Sequence, residues 1–277
     1  MKIKLLLPAL ALLCACGGEA TVNSSLDETL NKINDVAETV EGVALKKDAR
    51  LIGGNKSELQ EVIDNSMLEI EAESENRLVG YWVGAFGENK INVSIAHIED
   101  NKVTGYSICA GNYRPLTGTV SESGDNAFKF KLEEPGDDKY DGTFEFKIDL
   151  GTEELSGSWI AFEEEGNSRR DYTLGKKGFE YQTSVGKWPE ASERVLATED
   201  VENLMEDELS MMRNEIYARH GYCFKNKEFR HHFEAQEWYM PMGVDIRAQL
   251  TEIEAQNIDL IYQWETYYEE YYDDYGR

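Results

Sequence analysis

Apolar residues recur with a period of two between about Arg77 and Tyr181, and with spacings of three and four on either side of that stretch. Phe128, Phe130 and Leu132 alternate with Lys129 and Lys131, and Phe144, Phe146 and Ile148 alternate with Glu145 and Lys147. Half-buried antiparallel strands require this alternation, with one face apolar and the other charged. Similar short runs occur at Val79 to Phe86, Ile91 to Ile98, Val103 to Cys109, Leu116 to Val120, Leu155 to Phe162 and Arg170 to Leu174. Turn formers such as Asp100-Asn101 and Glu122-Ser123-Gly124-Asp125 separate them. The spacing predicts about eight strands in an up-and-down sheet or small barrel over residues 77–182. Closure would remove the sheet edges and gather the Phe, Ile and Leu face inside. A charged outer face excludes a membrane barrel, whose outside must be apolar.

After residue 182 the pattern is helical and predicts three short helices over residues 183–266. Leu209, Met212 and Ile216 share one stripe, Gly221 suits a left-handed cap, and Arg219 stands four residues after Glu215, where an ion pair can form. Asn226 is placed to cap a second helix carrying Phe229 and Phe233, and Thr251 with Glu254 has the form of a capping box opening a third. The fold class expected is therefore α+β: an antiparallel β-barrel-like domain followed by a small all-helical domain. Residues 16–76 are polar, with amphipathic patches around Leu26, Leu30, Ile33 and Val36 and around Leu59, Val62 and Met67, and read as a partly helical stalk. Glycines beside aromatic or β-branched residues, as in Gly80-Tyr81-Trp82 and Gly157-Ser158-Trp159, are similar in pattern alone to lipocalin and avidin-like barrels. The large interior aromatics favour a packed lumen over one holding a small apolar ligand.

The first residues change the picture from fold to place. Lys2 and Lys4 precede an apolar run, Leu5 to Leu13, which is too short to span a bilayer and has the form of a signal peptide over residues 1–15. The run leads into Leu13-Cys14-Ala15-Cys16-Gly17, which resembles the lipobox of bacterial lipoproteins. The resemblance implies cleavage before Cys16 and its acylation, tethering the chain to a membrane. Cys14 stands where that motif usually has a small aliphatic or hydroxyl residue and is a rival acceptor. The absence of Asp at position 17 implies outer-membrane sorting.

Charge narrows the partners. The chain has 28 basic and 54 acidic residues, net −26, and loss of residues 1–15 removes two lysines and no acids, giving −28. Such a chain repels nucleic acid and anionic headgroups. Cys109 and Cys223 then remain in a disulfide-tolerant compartment, and the sequence leaves their pairing open.

The segment Met212-Arg213-Asn214-Glu215-Ile216-Tyr217-Ala218-Arg219-His220-Gly221, continued by Phe224-Lys225, Phe229, Phe233, Trp238-Tyr239 and Asn257-Ile258, resembles the YARHG domain, whose name is spelled by Tyr217 to Gly221. The resemblance implies an extracytoplasmic helical module without an assigned chemistry. Its signature residues Arg213, Asn214, Glu215, Tyr217, Arg219, His220, Gly221, Trp238 and Tyr239 read as mainly structural. His220, Cys223, His231 and His232 offer ligands or a thiol dyad, yet their spacing matches no standard metal set. No catalytic residue, metal or cofactor is assigned. The tail, 267–277, mixes tyrosines with acids; it could dock a basic partner, and reads more simply as a helix end that frays in solvent. These readings converge on a non-catalytic, lipid-anchored envelope binding or scaffolding protein whose partner is the cell wall or an envelope protein. A carrier of a small apolar ligand is the alternative, and a hydrolase or metal-dependent enzyme a distant third.

Overall fold

The computed structural model describes residues 76–136, 140–162 and 169–271. The leader, Cys16, the two amphipathic patches of the stalk and the tail beyond Tyr271 lie outside them. Eight antiparallel strands follow one another around a closed barrel: β1 (Gly80–Phe86), β2 (Asn89–Glu99), β3 (Lys102–Cys109), β4 (Asn112–Glu122), β5 (Ala127–Glu133), β6 (Gly142–Asp149), β7 (Glu154–Ala161) and β8 (Arg169–Lys177). Pairing of β1 with β8, from Tyr81 opposite Lys177 to Ala85 opposite Thr173, completes the ring and leaves no free edge. The alternation read in β5 and β6 is the observed one. Phe130, Leu132, Phe144, Phe146 and Ile148 fill the interior while Lys129, Lys131, Glu145 and Lys147 face outward.

The lumen is a packed core. Trp82, Leu116 and Leu155 join those side chains, and Phe130 stacks on Phe146 with ring centroids 4.9 Å apart. One end is plugged by Leu78 and Val79, both buried, with the Trp82 indole N–H donating to the Leu78 carbonyl at 3.2 Å. At the other end, where β1 turns into β2 and β3 into β4, a cavity opens.

The helical region holds five helices and a 3₁₀ turn rather than three helices: α1 (Glu190–Glu193), α2 (Thr198–Val201), α3 (Glu206–Arg219), α4 (Lys227–Glu234), the turn Arg247–Gln249, and α5 (Glu252–Tyr271). The two additional helices are single turns of four residues, too short for any 3.6-residue period to register. The expected caps are present. Gly221 lies at φ +74° after α3, Asn226 accepts from the Glu228 and Phe229 amides, and Thr251 and Glu254 exchange hydrogen bonds at 2.9 and 3.2 Å. Helix α5 runs on through Tyr271, beyond the 183–266 span expected for the helical domain, and the Tyr268 hydroxyl donates to the Leu204 carbonyl at 2.9 Å. No helix among the described residues is long and apolar enough to cross a membrane.

The helical module docks on the outer wall of β2 and β3. On those strands the in–out alternation of burial disappears, since Asn92, Ser94, Tyr106 and Ile108 are buried on the face away from the lumen. Lys90 Nζ donates to the carbonyls of Gln236 and Tyr239, both at 3.0 Å, and Asn92 Nδ2 to that of Pro241 at 2.9 Å. Tyr106, Ile108, Cys223 and Val244 form a small apolar cluster between the modules. Gly111, at the tip of the β3–β4 turn with φ +77°, approaches so closely that a Cβ there would stand 2.6 Å from the Lys225 Cα. Its amide donates to Cys223 Sγ at 3.1 Å.

Cys109 and Cys223 are both free thiols. Cys109 packs against the lumen cluster, whereas Cys223 packs with Tyr106 and Ile108 on the outer face of the same strand. A disulfide would have to cross the sheet. Burial pushes the Cys109 thiol up to about 12 and that of Cys223 higher still, which suppresses thiolate chemistry at both.

Candidate functional site

Two places concentrate polar chemistry: the signature region at the end of α3 and the open mouth of the barrel.

Arg219 and Glu215 lie one turn apart on α3, bonded at 2.6 Å with side chains 0% and 3% exposed. Burial of both charges is tolerated because every remaining bond goes to a fixed partner. Arg219 also donates to the carbonyls of Val185 and Trp188 and to Ser192 Oγ, at 3.0, 2.8 and 2.9 Å. Glu215 accepts from the Lys187 and Trp188 amides, both at 2.8 Å. The pair therefore clamps the segment that leads from the barrel into α1.

His220 follows α3 directly, and its buried ring serves a second network. Its Nε2 pairs with Glu254 Oε2 at 2.7 Å, and its face stacks on Tyr181 with centroids 4.4 Å apart. Glu254 also accepts from Tyr181 Oη at 2.9 Å and Ser192 Oγ at 2.7 Å. The capping carboxylate of α5 thus ties together α3, α1 and the segment after β8. Arg213 makes a two-pronged pair with Glu265, 3.1 Å at each prong, and lies 4.4 Å over the Tyr262 ring. Asn214 Nδ2 donates to the Ser210 carbonyl, Tyr217 is buried against Tyr222, and Tyr239 Oη donates to the Tyr222 carbonyl at 2.8 Å. Trp238 meets Phe233 edge to face.

Of the tempting ligands, His220 is held by Glu254, Cys223 lies in the interface, and His231 and His232 are exposed on α4. Among the described residues no group of three or more His, Cys, Asp and Glu is placed to hold a metal ion. The partners Tyr181, Trp188, Ser192, Asn257 and Glu265 could not be singled out from local spacing. Asn257, which caps Leu196 N and donates to the Ala191 and Arg194 carbonyls, acts across more than sixty residues of chain.

At the barrel mouth a cavity of about 510 Å³ opens among Phe86, Asn89, Cys109, Arg114, Tyr140 and Phe144, with Trp159, Arg170 and Lys225 completing it. Lys225 comes from the helical module, so the rim is composite. Glu134 is fixed by the Trp159 indole N–H at 3.0 Å, the Gly142 amide at 2.7 Å and Ser107 Oγ at 3.2 Å. Arg114 pairs with the buried Asp141 at 3.3 Å. The Arg170 guanidinium lies over the rings of Phe86 and Trp159, 5.2 and 5.6 Å from their centroids. None of these residues carried a motif, because strands on opposite sides of the barrel bring them together.

The two carboxylates respond to pH in opposite senses. Burial of Glu254 tends to raise its pKa, but the bonds from His220, Ser192 and the Thr251 amide overcome it and hold the value below the ordinary range. A depressed folded-state pKa contributes stability at neutral pH that is lost as pH falls through that value. Burial raises Glu134 above the ordinary range, so its contribution is present in acid and lost as pH rises through the folded value. The Glu254→Gln chain is therefore expected to be less stable than the native one by about 1–3 kcal/mol at neutral pH, with the gap closing in acid. The native-minus-variant difference for Glu134→Gln should instead become more favourable to the native chain on acidification. Urea midpoints at a series of pH values check both, and parallel trends for the two variants would refute the assignment.

No curated protein and no solved structure matches the chain. The sequence model of the YARHG domain matches residues 186–266, so the helical region that carries the Glu215–Arg219 clamp and the His220–Glu254 network is a YARHG domain.

Proposed function

We propose that this is a non-catalytic binding or scaffolding protein of the bacterial envelope, tethered through acylated Cys16, probing the cell wall or a wall-associated protein with the surface of its YARHG domain. The domain match suggests an extracellular or envelope-associated setting, and the lipobox-like Leu13 to Gly17 supplies the tether. One observation supports the non-catalytic reading above others: the polar signature side chains Glu215, Arg219 and His220 are buried and bonded to protein groups. An acid–base or nucleophilic role needs such groups within reach of a substrate. Docking of the domain on the barrel wall through Lys90, Asn92 and Gly111 suits presenting a surface rather than enclosing a substrate.

The test is co-sedimentation of the chain beginning at Gly17 with purified wall sacculi at moderate salt. Wall and chain are both acidic, so charge opposes non-specific adhesion. Saturable pelleting is the expected result, together with acyl labelling of the full chain that disappears in Cys16→Ser. Absence of pelleting would remove the wall as partner, absence of labelling in the native chain would remove the tether, and labelling that survives Cys16→Ser would move the tether to Cys14.

A further inference from the structure

We propose that the composite mouth of the barrel is a binding site for a small aromatic carboxylate, with the ring against Phe86, Trp159 and Tyr140 and the carboxylate held by Arg170 and Lys225. The site goes beyond wall binding and does not depend on it.

The apolar half of the recognition comes from three rings. Phe86 and Trp159 meet edge to face at 6.1 Å, and Tyr140 stands on the rim 69% exposed. Large apolar side chains left in water beside a cavity favour an occupant with an apolar body. The deeper lumen is already filled by side chains, so an occupant lies at the mouth and cannot be a long, buried chain.

The charged half comes from the cations. Arg114 is neutralised by Asp141, and Glu134 is saturated by three protein donors. Arg170 differs from Arg114: its guanidinium carbon lies over the Phe86 and Trp159 rings, and among the described residues its N–H groups meet no carboxylate or carbonyl. A guanidinium held beside aromatic rings, with N–H groups that meet no protein acceptor, is a two-pronged donor matched to a carboxylate. Among the described residues the Lys225 ammonium likewise has no ion-pair partner, and it adds a second positive charge from the opposite module. With a net charge of −26 the rest of the chain repels polyanions. A compact monoanion is therefore favoured over a phosphorylated or polymeric ligand.

The experiment titrates 2-naphthoate into the full chain carrying Cys16→Ser, by calorimetry, beside its neutral isostere 2-naphthamide and the cation 2-naphthylmethylammonium. Saturable binding of the carboxylate is expected, with the amide about tenfold weaker, the equivalent of one charge-assisted hydrogen bond, and no binding of the cation. Arg170→Gln and Lys225→Gln, both at exposed positions in separate modules, should each weaken 2-naphthoate by about three- to tenfold. Arg170→Glu should reverse the preference toward the cation. Equal binding of acid and amide, no saturable heat with 2-naphthoate, or unchanged affinity in both Gln variants would each overturn the proposal. Sacculus pelleting of the Gln variants stays at the native level if wall binding is separate, so failure of one reading is distinguishable from failure of the other.

Discussion

Replacing Arg219 with methionine is expected to destabilise the YARHG domain by about 3–5 kcal/mol, the cost of stranding a buried charge. Methionine keeps much of the aliphatic stem, so the loss isolates the guanidinium. Glu215 would remain on α3, all but inaccessible to water, facing two backbone amides and no cation. Three further acceptors, the Val185 and Trp188 carbonyls and Ser192 Oγ, would lose their donor together. Adding Glu215→Gln to Arg219→Met should recover part of the loss, because an uncharged amide oxygen still accepts from the Lys187 and Trp188 amides. Urea unfolding followed by tryptophan emission, to which Trp188 beside the clamp reports, gives the free energies. A loss below about 1 kcal/mol, the scale of a surface pair, would show that the pair is not the clamp described.

Much of the architecture was legible in local pattern, for a physical reason. Strand β5 and strand β6 face water on one side, so their sequences must alternate, and Phe128 to Leu132 and Phe144 to Ile148 do so. Caps are equally local: Asn226 and the Thr251–Glu254 box act within three residues of themselves. What escaped local reading is what depends on distant chain. Glu254 has the spacing of a capping residue, and nothing in that spacing indicates that its other bonds go to His220, Ser192 and Tyr181.

The docking face left a faint trace that only the structure explains. On β2 and β3 the outward positions are Asn92, Ser94, Tyr106 and Ile108, uncharged where β5 and β6 have lysines and a glutamate. An uncharged outer face is the expected companion of a covering domain, since burying a lysine without a partner is costly. Lys90 supports the point: it is the charged residue at the edge of this face, and its ammonium is met by two carbonyls of the helical module. The mouth had no such trace. Arg170 and Lys225 are unremarkable as charges in sequence and acquire meaning only where β8 and the segment before α4 converge on Phe86 and Trp159.

Phe144→Ala should remove about 3–5 kcal/mol from the barrel, the usual cost of a fully buried phenylalanine. Phe144 is 1% exposed, stacks near Phe86 and meets Tyr172 edge to face, so neither neighbour can collapse into the vacancy without losing contact with the other. Because the barrel is closed, each strand is bonded on both sides and the loss is shared around the ring. The link to the helical module is far thinner: Lys90, Asn92 and Gly111 supply its hydrogen bonds and Tyr106, Ile108, Cys223 and Val244 its apolar contact. A link of that size should not carry the full loss across, so unfolding is expected to separate into two steps, with the barrel opening first. Amide hydrogen exchange resolves them. Protection should fall over residues 80–177 and stay near the native level over residues 186–266, except in the 236–243 segment that receives Lys90 and Asn92. Equal loss of protection in both regions would mean that the two modules unfold as one cooperative unit, and the docking contacts would then be stronger than their number implies.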